Sequence, residues 1–99
     1  MGRYSRTKPK RLAEKLLYIR NTLGLSQNGM IRELGLSEEI TQSRISGYEL
    51  GTREPSLPTL LLYAHSAGIC VDYLIDDALE LPKKIPSRQL HTPRAKQRG

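Results

Sequence analysis

Four glycines divide this chain, and each stands where a helical pattern runs out: Gly24, Gly35, Gly51 and Gly68. Glycine takes the left-handed conformation that ends a helix, which costs other residues about 1–2 kcal/mol. Leu25, Leu36 and Ile69 follow three of them at once. An apolar residue just past the glycine is the mark of a Schellman end, because it folds back on the last turn. The chain is therefore expected to fold as a string of short helices with defined stops.

The starts are legible by the same kind of argument. Leu12, Leu16, Ile19 and Leu23 share one helical face, with Thr7 as the expected N-cap and Pro9 in the first turn. Ser26 is placed to cap a second helix, with Leu25 before it and Met30 inside at the spacing of a hydrophobic staple. Thr41 caps a third by the same logic, with Ile40 and Ile45 as the staple. Ser56 caps a fourth, which carries Leu57, Leu60, Leu61, Ala64 and Ala67. A fifth short helix is expected from about Val71 to Leu79. No alternating β-branched run and no Asn-Gly or Asp-Gly turn argues for a strand. The fold class expected is all-α, a compact five-helix domain.

With 99 residues, the chain has room for one such domain. Without Phe or Trp, its core must be aliphatic, helped by tyrosines. The formal net charge is +6, and its placement matters more than its size. All ten acidic residues lie between Glu14 and Glu80. Arg3, Arg6, Lys8, Lys10 and Arg11 crowd the N-terminus, while Lys83, Lys84, Arg88, Arg94, Lys96 and Arg98 follow Pro82. The division expected is a flexible basic arm over 1–8, a helical domain over 9–81 and a basic, disordered tail over 82–99, where Pro82, Pro86 and Pro93 interrupt a polar stretch. Basic arms suit a polyanion.

Between the arms runs a specific string. "GLSQ" occupies 24–27 and "QSRISGYELGTREPSL" occupies 42–57. Together with "LLLYAHSAGICVDYLI" at 60–75, these segments resemble the Xre/Cro/CI-like helix-turn-helix family, which includes the lambda-type phage repressors. The resemblance spans roughly residues 12–76 and excludes both arms. It implies a lambda repressor-like fold and a transcriptional regulator, a repressor, that binds double-stranded DNA.

What the resemblance implies for individual residues is consistent with their chemistry. The third helix would enter the major groove, with Ile45 and Tyr48 toward the core and Gln42, Ser43 and Arg44 toward base edges. Glutamine pairs with adenine, serine with several bases, and arginine with guanine or a phosphate. Ser26, Gln27, Thr41, Ser46, Thr52 and Arg53 would contact phosphates. Gln27 begins the second helix, where free N–H groups and the helix dipole favour an anion. Arg53 has an alternative role, an ion pair with Glu49 or Glu54. Arg20 and Glu49 match positions that form a buried ion pair in the family, a structural role that would fix the seat of the third helix. Gly47 offers no side chain where some relatives carry a base reader.

Two departures from the family stand out. The turn from Gly35 to Thr41 is about four residues longer than usual, close to one helical turn. It contains the acidic insert Ser37-Glu38-Glu39-Ile40 near the expected DNA face. The third helix could start at Ser37 instead, but the staple favours Thr41. Ile31 also replaces the alanine usual where the second and third helices cross, which implies a wider crossing.

Other chemistries find little support. Cys70 is the only cysteine, which excludes an internal disulfide and fits a reducing cytoplasm. It is expected to be a small buried apolar residue. With His65 and His91 it makes a poor metal site, so neither metal nor cofactor is expected. Asp76 and Asp77 are adjacent and do not share a helical face, and no nucleophile–base pair stands out, so no catalytic residue is expected and the protein is not read as an enzyme. No apolar run is long enough to cross a membrane, and no signal peptide precedes the domain. The apolar residues of Leu74–Leu81 suggest a homodimer contact through the fifth helix, against plain core packing. The alternative function is a protein- or RNA-interaction module on the same fold, such as an antitoxin that binds a toxin or a bridging coactivator. The discriminator is whether Gln42, Ser43 and Arg44 stand open at the start of the third helix or lie under the acidic insert.

Overall fold

A computed structural model describes residues 9–83 and 85 of the protein. Five helices follow in order: α1 Leu12–Thr22, α2 Gln27–Leu34, α3 Gln42–Leu50, α4 Leu57–Ala67 and α5 Asp72–Ile75. No strand occurs among the described residues. α1 packs against α3, α4 and α5, and α2 packs against α3 and α4.

The core sits where these helices meet. Leu12, Leu16 and Ile19 of α1 face Met30, Ile31 and Leu34 of α2, Ile45 and Tyr48 of α3, and Leu60, Tyr63, Ala64 and Ala67 of α4. Leu74 and Ile85 close it. Burying each large aliphatic side chain contributes about 1.5–3 kcal/mol, which is how so small a core holds together.

The glycine stops behave as the sequence argument requires. Gly35 has φ 75°, its N–H donates to Arg32 O, and Leu36 N–H reaches back to Ile31 O at 3.1 Å. The same pair of bonds closes α1 at Gly24–Leu25 and α4 at Gly68–Ile69. Ser26 and Ser56 cap α2 and α4, their hydroxyls accepting from Gly29 N and Thr59 N.

Two boundaries and one cap differ from the sequence reading. Thr7, the expected cap of α1, lies outside the described residues, and α1 begins only at Leu12. Its entry is held from the far end of the chain, where the Asp77 carboxylate accepts from Lys10 N at 2.8 Å and Arg11 N at 3.0 Å. α5 stops at Ile75 rather than Leu79, because Asp76 turns to extended backbone and its own carboxylate accepts from Ala78 N. Thr41 stands at the N-cap of α3, as expected, but its hydroxyl is not a cap; it pairs with Ser43 Oγ at 3.1 Å.

The segment after α5 is strapped to α1. Lys15 is buried, and its ammonium donates to the carbonyls of Tyr73, Asp76 and Leu79 at 2.7, 3.0 and 2.9 Å. One charged side chain thus satisfies the orphan carbonyls at the end of α5 and in the turn beyond it. Arg11 grips Glu80 with both terminal nitrogens and also pairs with Glu14. Tyr18 donates to Lys83 O. Leu74 is buried in this chain's own core and Leu79 and Leu81 are half-buried, while Ile75 remains exposed. Packing continues to Ile85, four residues past the expected domain edge at Leu81. The arm over 1–8 and the segment over 86–99 lie outside the described residues. Cys70 is exposed, contrary to the buried role expected from its usual preference; it follows the Gly68–Ile69 helix stop, in a turn rather than on a packed face.

Candidate nucleic-acid interface

α2 and α3 form the two arms of the site, and the longer turn between them folds on itself. Glu39 N and Ile40 N both donate to Leu36 O, so Ser37–Glu39 make a separate turn and α3 starts after Thr41. Ile40 is half-buried against the core, while Ser37, Glu38 and Glu39 are exposed. The turn borders a shallow notch lined by Asn28, Ile31, Arg32, Ser37, Ile40, Thr41 and Gln42. The insert does not cover α3: Thr41, Gln42 and Ser43 are all exposed, and Arg44 and Ser46 are half-buried. Ile45 and Tyr48 point inward, as the family resemblance implied.

A continuous polar chain joins the interior to the tip of α3. Arg20 of α1 reaches Glu49 with two bonds, Nε to Oε2 at 2.6 Å and a terminal nitrogen to Oε1 at 3.0 Å. Its other terminal nitrogen donates to Leu25 O at 3.0 Å, tying the loop before α2 to the same pair. The side chains of Arg20 and Glu49 are only 15% and 5% exposed. Glu49 holds the Arg20 guanidinium above its ordinary value by hydrogen bonding, against the cost of burial. Glu49 Oε1 also accepts from Gln27 Nε2 at 3.1 Å. Gln27 Oε1 in turn accepts from Gln42 Nε2 at 3.1 Å.

The expected ion pair between Arg20 and Glu49 is therefore formed. Gln27, read from sequence as a phosphate contact, is also the bridge from that pair to Gln42. Sequence could have flagged this link only through the glutamine at both positions, since the bond spans two helices. Beside the network, the Tyr63 hydroxyl is buried without a hydrogen-bond partner among the described residues. Burial first, and then the negative charge of Glu49, push its ionisation upward.

Beyond α3 the chain doubles back. Thr52 N and Arg53 N both donate to Gly47 O, at 3.0 and 3.2 Å, and the Thr52 hydroxyl reaches the same carbonyl at 3.4 Å. Thr52, Arg53 and Glu54 are exposed. Arg53 forms neither of the ion pairs weighed for it: Glu49 is committed to Arg20, and no bridge to Glu54 exists. Ser26 is exposed, and its hydroxyl is engaged as the cap of α2.

Two short helices joined by a turn, the second presenting an open polar N-terminus, make the unit on which the assignment rests. The family model described as helix-turn-helix matches residues 16–74, more than half of the chain. The chain belongs to the Xre/lambda repressor-like helix-turn-helix family. That family is one of DNA-binding transcription regulators. The match runs from Leu16, in the second turn of α1, through most of α5 and leaves the basic segments at both ends outside it. Comparison with curated proteins and with solved structures gives no significant match. Among the described residues, no helix is long and apolar enough to cross a membrane, and no cluster of His, Cys, Asp and Glu is placed to hold a metal ion.

Proposed function

We propose that this protein is a sequence-specific regulator of transcription that binds double-stranded DNA and lays α3 in the major groove. The observation that carries the reading is the exposure of Gln42 and Ser43 at the start of α3, with Gln42 braced through Gln27 to a buried ion pair. A base-reading amide gains from being held before it meets its base, since less side-chain entropy is lost on binding. One N–H of the Gln42 amide is engaged by Gln27; its oxygen and second N–H remain for adenine N6 and N7.

The remaining roles follow from position. Ser43 and Arg44 read bases beside Gln42, and Arg44 also lies within reach of the backbone. Ser26, Gln27, Thr41, Ser46, Thr52 and Arg53 border the same face and serve the phosphates. The basic segments at both ends add sequence-independent attraction. The resemblance to the lambda-type phage repressors favours a repressor, one that acts by occupying its site. Two copies reading a two-fold operator complete the picture, and Leu57, Leu61 and Ile75 are exposed apolar residues available to such a contact. The open start of α3 favours DNA over the alternative of a protein- or RNA-interaction module such as an antitoxin or bridging coactivator, which would have gained had the insert covered it.

Selection of bound duplexes from a random library tests the reading. The intact protein should enrich a short palindromic motif, and the Gln42→Ala, Ser43→Ala double variant should degrade it. Salt-sensitive binding without an enriched motif would reject sequence reading by α3.

A further inference from the structure

We propose that Arg53, although it lies outside α3, supplies the base contact that Gly47 leaves open on the recognition helix, and that its target is a guanine. This rests on the DNA-reading assignment above and moves Arg53 within it, from a phosphate contact to a reader of a base.

Ser43 and Gly47 are four residues apart, so they occupy one face of α3 in successive turns. Gly47 has nothing to offer a base edge, yet it is buried. The aliphatic stem of Arg53 lies over it. A Cβ built at position 47 would stand 3.1 Å from Arg53 Cγ, 3.2 Å from Cβ and 3.4 Å from Cδ. The arginine stem therefore fills the space from which a side chain at 47 would start.

The placement is fixed from below. The backbone N–H groups of Thr52 and Arg53 both close on Gly47 O, so the loop is tied to the helix at the residue the stem crosses. The guanidinium is not withdrawn by a carboxylate. Glu49 is committed to Arg20 and Gln27, and Arg53 forms no ion pair among the described residues. A stem lying across the helix face starts the guanidinium one turn along from Ser43. The planar fork of arginine matches guanine O6 and N7, the commonest specific contact in the major groove.

The test is duplex selection from a random library with the full chain, followed by titration of the selected site, for the wild type, Arg53→Ala and Arg53→Lys. The substitutions are on an exposed side chain, and thermal melting of each variant checks that the fold is kept. Arg53→Ala is expected to lose preference for G at one position while the remainder of the motif persists, and to bind the selected site about 10- to 100-fold more weakly. Lysine keeps the charge and can still donate to guanine, but without the planar fork, so Arg53→Lys is expected to keep the preference only in part; the position lost in Arg53→Ala separates base reading from phosphate contact. An unchanged motif with uniformly weaker binding in Arg53→Ala, restored by Arg53→Lys, would overturn the inference and leave the DNA reading standing. Failure of the wild type to enrich any motif would overturn both.

Discussion

The side-chain amide of Gln42 donates to Gln27 across 3.1 Å, and this bond joins the exposed tip of α3 to the helix before it. If the bond positions Gln42 for its base, the two residues act as a unit. Gln42→Ala is expected to weaken specific DNA binding by ~1–3 kcal/mol and relax one base position, with little change in stability. Gln27→Ala should cost a comparable part of that binding, and the double variant should lose less than the sum, with a coupling of about 0.5–3 kcal/mol. A double-mutant cycle measured by DNA titration decides it; strict additivity would mean that the bond does not serve binding.

Arg20 and Glu49 invite the opposite expectation. They are almost fully shielded from water, and removing one leaves the other charge buried alone. Arg20→Met is expected to destabilise the fold by ~3–5 kcal/mol in urea denaturation. A loss under about 1 kcal/mol would place the pair among surface bridges of small value.

Lys15 spends its three N–H donors on three backbone carbonyls. Lys15→Met keeps the stem and removes every one of those bonds. The expected loss is about 2–4 kcal/mol, read from the urea midpoint, because buried carbonyls are left without donors. The variant should also loosen residues 73–79, seen as faster amide exchange there.

The contact between Asp77 and the entry to α1 has a pH signature. Hydrogen bonds from Lys10 N and Arg11 N hold the Asp77 carboxyl below its ordinary value of 3.8, and the Arg11 guanidinium holds Glu80 below 4.5. An acid whose folded-state value is depressed stabilises the fold above its unfolded value and loses that contribution as pH falls through the folded one. Stability should therefore decline from about pH 5 downward, and Asp77→Asn should flatten part of that decline. Urea midpoints of both proteins across that range are the measurement. Parallel curves would show that Asp77 contributes nothing through its charge.

The parts of this fold that were legible in sequence are those fixed by neighbours. Gly35 with Leu36 and Ser26 with Gly29 are local arrangements within three residues of each other, and the structure keeps them. The parts that were not legible depend on residues far along the chain. The start of α1 is held by Asp77, and Lys15 is buried because of carbonyls beyond α5. Nothing in the sequence near Lys15 distinguishes it from a solvated lysine. The site divides the same way. The Arg20–Glu49 pair came from the family resemblance and is present, whereas the link through Gln27 and the stem of Arg53 over Gly47 need three-dimensional neighbours. Thr41 was placed correctly as a boundary but not as a hydrogen-bond acceptor for the helix, because Ser43 offers its hydroxyl a competing partner.

The lysine clasp also sets an order on synthesis. Leu79 follows Lys15 by 64 residues, so the ammonium has no carbonyl to close on until nearly the whole helical region has left the ribosome. At 5–20 residues per second that interval lasts roughly 3–13 s. During it α1 to α4 can collapse around their aliphatic faces, but Lys15 must stay hydrated and hold one side of the core open. A turn near the end of the domain is thus the one that seals the first helix, and a nascent chain stalled before Leu79 carries an unfinished core.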